Sequence, residues 1–525
     1  MNVGAAGNIC GKPLGLATAE GCVLLGLDAH AIQVEVCSTR GPAFFQLVGL
    51  AEAAVRESRV RVASALAKLG ILLDEYAITI NLAPADLRKQ GAALDVAIAC
   101  AVLGALGFIE SSQLSGTVLL GELALDGSVR PIRGVLPQLE GARQRGVTRA
   151  VVPERNGAEA GLVQGLDVRV AASLPQIVDH LAGKTALPRA VRLRFEPELA
   201  VGTADFSQVR GQASARRAFE IVAAGSHNVL MVGPPGGGKT LLARLLPTIL
   251  PPLTFEEAIE TTAIHSVVGL VEPSKGVVTA RPFRAPHHSV SEAGLVGGGD
   301  VPRPGEVSLA HNGVLFLDEL AEFRRGTLEA LRQPLEDGEV CIARARARAW
   351  FPARPLVVAA VNPCPCGYRG HPTRACRCGA KTSLRYRAKL SGPLVDRIDI
   401  HLSVPPVDVH SLTSRARAES SASIRERVLA ARAVQADRCA TKQVLAPTNA
   451  RLSSTDLERV AGLDSKSERV IHAAVTQLGL SARAYQRVLR VARTIADLEQ
   501  SESVRAAHVA EAVQGRLLDR VEPAA

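Results

Sequence analysis

Aromatic residues are scarce in this sequence, 3% of 525, so Ala, Gly, Val and Leu must do most of the packing. Long apolar runs are missing too. None approaches the roughly 20 residues of a spanning helix, so no membrane is expected as a partner. The start, MNVGAAGNICGK, lacks a basic stretch followed by an apolar one, and no secretory leader is expected. Six of the ten cysteines stand singly, unlike a disulfide-stapled secreted domain, and a reducing cytoplasm is the expected location. There is no fixed-period repeat and no long low-complexity tract.

What is present is a globular composition, 47% hydrophobic and 21% charged, in a chain long enough for two to four domains. The net charge of +10 suits an anionic partner, and equally a plain solvated basic surface. Residues 1–184 alternate strand-like pieces (AIQVEVC, YAITINLA, GTVLLGELAL) with helix-like ones (AEAAVRESRVRVASALAKLG, AALDVAIACAVLGAL), which predicts an α/β domain. Residues 185–205 read as a linker, residues 206–404 as a second α/β unit, and residues 405–525 as helical. In the last, Tyr485, Val488, Leu489, Ala492, Ile495 and Ala496 form one apolar stripe, with Arg483, Arg487 and Arg490 on another face.

The second unit carries the chemistry. HNVLMVGPPGGGKTLLARLL reads as strand, glycine-rich loop and helix. Gly233, Pro234, Pro235, Gly236, Gly237, Gly238, Lys239 and Thr240 fit G-x-x-x-x-G-K-T in full. Backbone N–H groups of such a loop curl around phosphate oxygens, Lys239 reaches the β- and γ-phosphates, and Thr240 holds Mg²⁺. GVLFLDE ends an apolar strand in Asp318, a further Mg²⁺ ligand, and Glu319, a general base for the attacking water. The spacing between the two motifs is long, so a segment is inserted between them. LVVAAVN ends in Asn362, which either orients the lytic water or simply makes a turn before Pro363. Arg397, in LSGPLVDRIDIHL, is either a cation for the γ-phosphoryl group or an ion-paired neighbour of Asp396 and Asp399.

Two basic segments follow from the pattern. GEVCIARARARAWFPARPLVV reads as a hairpin whose period of two places Arg344, Arg346 and Arg348 on one face, solvated or holding phosphate; Trp350 is expected in the core. RPFRAPHH is read as polar loop contacts, its histidines included. VNPCPCGYRGHPTRACRCG holds Cys364, Cys366, Cys376 and Cys378 among Arg369, Arg374 and Arg377. Three readings remain: a structural Zn²⁺ knuckle, a loop of reduced thiols, or a redox switch.

The chain resembles AAA+ ATPases of the magnesium-chelatase-like ComM/YifB family. The likeness is carried by VRGQASARRAFEIVAAGSHNVLMVGPPGGGKT, RPFRAPHHSVSEAGLVGGGDVPRPGEVSLAHNGVLFLDEL, VAAVNPCPCGY, LSGPLVDRIDIHL and LSARAYQRVLRVARTIADL. The resemblance implies Walker A at Lys239 and Thr240, Walker B at Asp318 and Glu319, sensor 1 at Asn362, a trans-acting arginine finger at Arg397 and sensor 2 at Arg483. It implies a helical lid, a homohexamer with ATP between subunits, and motor action on branched or single-stranded DNA that aids donor-strand integration in natural transformation, alongside recombination proteins. Arg344, Arg346, Arg348, Arg369, Arg374 and Arg377 are then the expected DNA contacts. A rival expectation is a protein-remodelling ATPase like the magnesium-chelatase motor subunit or MoxR-like chaperones. A nucleotide-gated scaffold is disfavoured by Asp318 and Glu319.

Residues 1 to about 180 resemble the Lon proteolytic-domain fold through GELALDGSVRPIRGVLPQLEGARQRGVTRAVVPERN. The serine position reads Ala92, Ala93 and Leu94, and the lysine position reads Val135, Leu136, Pro137 and Gln138. No peptidase activity is expected. Lys89 is read as an exposed loop lysine.

Overall fold

The computed structural model describes all residues except 1–12, 51, 90, 200–203, 345–346, 391, 408–417 and 517–525. The amino-terminal part is built on a seven-stranded mixed sheet. Its order is Phe44–Val48, Tyr76–Ala83, Asp28–Arg40, Pro13–Leu25, Thr117–Leu119, Arg149–Pro153 and Asp167–Ala171. The helix Asp95–Ala105 is apolar nearly all round, and it is buried almost completely against the two long strands.

The segment 185–199 does not hang free. The Ala190 N–H donates to Val168 O and the Val170 N–H to Pro188 O, both at 2.9 Å, covering the edge strand Asp167–Ala171. Composition cannot reveal this, because the partner is an unpaired backbone edge rather than a side-chain pattern.

The second sheet is parallel, in the order Phe283–Arg284, Val314–Leu317, Leu356–Val361, Val229–Val232 and Ile400–Ser403. VLFL and LVVAAV are buried along their whole length, as strands covered on both faces require. The inserted segment after the glycine-rich loop contains the helix Phe255–Val268. Thr254 and Glu257 cap it reciprocally, and Gly269 ends it. This helix packs on Val135–Gln144 of the amino-terminal part. The carboxy-terminal helices Ser421–Ala440, Ser454–Ala461, Ser465–Leu478, Ala482–Leu498 and Ala506–Gln514 close over the sheet. The predicted stripe is correct: Val488, Leu489, Ala492, Ile495 and Ala496 are buried, and Tyr485 packs against them partly buried.

Three expectations need correction. The hairpin Glu339–Arg344/Ala347–Pro352 forms, but Arg344 lies opposite Ala347 and Arg348 opposite Ala343. Directly opposed residues share a face, so Arg344 falls on the face of Ile342 and Ala349, and Arg348 on the other. The register, with Arg344 paired to Ala347, breaks the period; Arg346 lies outside the described residues. Trp350 is 44% exposed instead of in the core, because the buried face is that of Val340, Ile342, Ala349 and Phe351. Lys89 is fully buried, donating to Pro84 O, and burial holds its pKa below that of a free lysine.

Candidate nucleotide site

Three adjacent strands present their carboxyl ends together, and each delivers part of the site. From Val229–Val232 the chain enters the glycine-rich loop, where Gly236 and Gly238 take positive φ of 77° and 82°, a conformation that disfavours a side chain. The helix Lys239–Leu245 then begins. Lys239 is 8% exposed, and its ammonium donates to Gly233 O at 2.6 Å, Pro234 O at 2.9 Å and Asn362 Oδ1 at 3.1 Å. Burial lowers its pKa, against the pull of Asp318 and Glu319. Asn362 thus comes to the site from the end of Leu356–Val361.

Val314–Leu317 supplies the acids. Thr240 Oγ1 donates to Asp318 Oδ2 at 2.9 Å, placing together the hydroxyl and carboxylate suited to one Mg²⁺ ion. Asp318 Oδ1 accepts from the Glu319 N–H at 2.9 Å. Glu319 has a φ of 51°, a left-handed conformation that costs a non-glycine residue about 1–3 kcal/mol and clusters at functional sites. Its side chain is half exposed and faces the His288 ring nitrogen at 3.4 Å.

The sequence assigns Gln212 no role and His288 only a polar loop contact. Gln212 Nε2 donates to Gly237 O at 2.6 Å and so braces the loop. Both lie far from their partners along the chain, so the stretches that contain them do not announce these pairings. The two arginines of RPFRAPHH turn to protein partners, while His287 stays exposed. Arg281 donates to Pro251 O, Asn312 O and Glu257, and Arg284 pairs with Glu306 at 2.6 Å.

Arg397 and Arg483 are brought together, but not to the glycine-rich loop. Arg397 is buried, donates to Pro393 O at 2.8 Å and pairs with Glu336; Arg483 approaches the same carboxylate at 3.5 Å. They line a cavity of about 530 Å³ with Arg487, Arg490 and Arg354. Asn228 and Leu356, from the amino ends of the central strands, also line it, so it opens at the end of the sheet opposite Lys239. Arg487 meets buried Asp399 at 2.5 Å. Burial opposes that carboxylate's charge, yet Arg487 and His227 outweigh it and hold the pKa well below the usual range.

The four cysteines converge. Cys364 Sγ lies 3.4 Å from Cys366 Sγ and 3.6 Å from Cys376 Sγ, and all four sulfurs lie within 4.8 Å of one another. These separations exceed the ~2.05 Å of a disulfide and approach the ~3.8 Å edge of a tetrahedron with ~2.3 Å metal–sulfur bonds. Backbone N–H groups of Tyr368 and Arg377 hold the Cys366 thiol down to about 6. The nearby Arg369, Arg374 and Arg377 are all exposed; Arg374 also lies over the Tyr368 ring and donates to its hydroxyl at 2.9 Å.

Among the described residues no helix is long and apolar enough to cross a membrane. Residues 205–412 match the family described as magnesium chelatase, subunit ChlI. Residues 34–156 match subunit ChlI of Mg-chelatase, and 418–516 match the magnesium chelatase subunit ChlI C-terminal family. The chain is 42% identical to the uncharacterized protein YifB of Salmonella typhimurium, over 97% of this chain and 98% of that one. It is 42% identical to the competence protein ComM of Haemophilus influenzae, over 95% and 96%. The amino-terminal part is 30% identical over 171 residues to Lon protease 2 of Bacillus subtilis, 30% of each chain. With near-full-length identity joined to a parallel five-stranded sheet, a glycine-rich loop and a helical carboxy-terminal part, the chain belongs to the magnesium-chelatase-like ComM/YifB family of AAA+ ATPases.

Proposed function

We propose that the protein hydrolyses ATP with Mg²⁺ and, as a homohexameric helicase-type motor, drives branch migration and donor-strand integration in natural transformation and recombination. The observation that carries the hydrolytic half is the meeting of Lys239 and Thr240 with Asn362 and Asp318 at the ends of adjacent strands. In this reading Lys239 and the backbone from Gly233 to Gly238 hold the phosphates, and Thr240 and Asp318 hold the metal, which would draw charge from the phosphoryl oxygens. Glu319 takes the proton of the attacking water and Asn362 orients it. Arg397 and Arg483, at the opposite end of the sheet, reach the nucleotide of a neighbouring subunit.

The DNA half is supported by the name of the competence relative and by the net charge of +10. Arg344 and Arg348 on the hairpin, with Arg369, Arg374 and Arg377 on the cysteine segment, hold phosphates without reading sequence. Arg346, expected from the sequence to join them, lies outside the described residues. The four cysteines hold a structural Zn²⁺ ion. The location is cytoplasmic, where thiols stay reduced.

A second reading, a remodelling ATPase acting on a protein partner, is favoured by the match to magnesium-chelatase subunits along most of the chain. ATP turnover with and without forked or four-way DNA separates the two. Stimulation and unwinding support the DNA motor. Turnover that ignores DNA, with no strand separated, overturns it in favour of the protein partner.

A further inference from the structure

We infer that the cysteine segment is a zinc clip on the nucleotide-binding loop: metal held by Cys364, Cys366, Cys376 and Cys378 fixes the wall against which Pro235 rests. The inference builds on the nucleotide reading of that loop. Residues 362–379 contain neither helix nor strand. Such a stretch has few backbone bonds of its own to hold its shape, and a structural metal supplies what a core does not. The sulfur separations, 3.4 Å and 3.6 Å from Cys364 and 3.6 Å between Cys366 and Cys376, match a tetrathiolate zinc site. Binding would release the thiol protons to solvent as each sulfur bonds the ion.

Two contacts tie this clip to the loop. Asn362, two residues before Cys364, accepts from Lys239. Gly367, directly after the first cysteine pair, lies flat on Pro235: a Cβ there would come 2.4 Å from Pro235 Cδ and 2.7 Å from Cγ. Gly367 also has a φ of 82°, and its N–H donates to Cys364 O at 2.9 Å. The residue facing Pro235 is therefore set by the backbone of a ligand. On the other side, the helix Ala380–Arg387 starts right after Cys378 and buries Tyr386, whose hydroxyl pKa is pushed up to about 12 by burial and by Glu322 and Glu319. Metal loading thus orders both the loop side and the acid side of the site.

The test uses the full chain purified without chelators. Zinc per chain is counted by elemental mass spectrometry, and affinity for a fluorescent ADP is measured for the wild type, the metal-stripped protein, Cys376→Ser with Cys378→Ser, and Gly367→Ala. One zinc per wild-type chain is expected, with loss from the double serine variant and at least tenfold weaker ADP binding after stripping. Gly367→Ala should keep its zinc and still bind ADP at least tenfold more weakly, a result independent of any unfolding on stripping. A folded wild type without zinc overturns the metal site. Zinc present with unchanged ADP affinity in both the stripped protein and Gly367→Ala overturns the clip. Failure of the wild type to bind ADP at all, with zinc intact, overturns the clip through the nucleotide reading and leaves the metal site upheld.

Discussion

Glu319→Gln isolates the proposed base, because the structure separates its three possible effects. The side chain is 56% exposed and its ion pair is with His288 at 3.4 Å. Exposed pairs contribute about 0–1 kcal/mol, so the melting temperature should hardly move. Lys239, Thr240, Asp318 and Asn362 keep their mutual bonds without it, so ATP affinity should stay within a few-fold. Turnover should fall by about 10²–10⁴, the usual contribution of a general base, or roughly 3–5 kcal/mol of barrier. Three assays read these separately: phosphate release, titration with a fluorescent ATP analogue, and a thermal melt. His288→Ala adds a cycle. If His288 aims Glu319, its loss slows the wild type and leaves the Glu319→Gln background unchanged. Full turnover by a folded Glu319→Gln chain would refute the assignment, and equal losses from His288→Ala in both backgrounds would refute the aiming role.

Replacing Arg344, Arg346 and Arg348 by Ala should weaken DNA binding and reduce its salt slope by up to about 2–3 while DNA-independent turnover persists; equal loss of both would point to damaged folding instead. Arg487→Met strands the Asp399 carboxylate, 3% exposed, without its 2.5 Å partner, and should destabilise by about 3–5 kcal/mol in denaturant melts; a loss under about 0.5 kcal/mol would contradict the geometry. Burial, aided by Arg516, holds His401 neutral with its pKa down to about 3, whereas an unfolded histidine protonates near 6.5. The unfolded state therefore binds more protons between those values, and stability should fall as pH drops from about 6.5 towards 3, by about 1.4 kcal/mol per unit at most. His401→Gln should flatten that slope, and an unaltered slope would sink the reading.

The sequence made the nucleotide site legible where chemistry and strand ends coincide. The loop from Gly233 to Thr240, the acids after VLFL and Asn362 after LVVAAV each follow an apolar run, and a parallel sheet gathers such ends. The cysteine pairs were legible as a cluster for a similar reason: close spacing leaves few places for the sulfurs to go. What stayed hidden depends on pairing across distance. Period two put Arg344 with Arg348 until the hairpin register placed them on opposite faces. Lys89 looked exposed in a polar stretch, yet its ammonium is buried at Pro84 O. Arg397 and Arg483 carry no mark in sequence that both would meet Glu336, since that carboxylate sits on a third element.

The Lon-like amino-terminal part is packed directly against the ATPase part. Ala92 and Ala93 carry no nucleophile, and Val135 to Gln138 are the buried start of a helix. That helix packs on the inserted helix Phe255–Val268. Glu159 joins the two: it is buried, which raises its pKa, accepts from the Leu136 N–H at 2.8 Å and binds the Ser266 hydroxyl. The next residue inward, His265, bonds Leu309 O at 2.9 Å, in the short helix that leads into Val314–Leu317. A continuous set of contacts therefore runs from the Lon-like sheet to the strand that carries Asp318 and Glu319. Leu253, Ala258 and Val277 of the insertion lie in one apolar cluster with Val135, Leu139 and Val152, so the junction is a packed core and not a hinge. A domain packed in this way is tied through side-chain contacts to the strand end that carries Asp318 and Glu319.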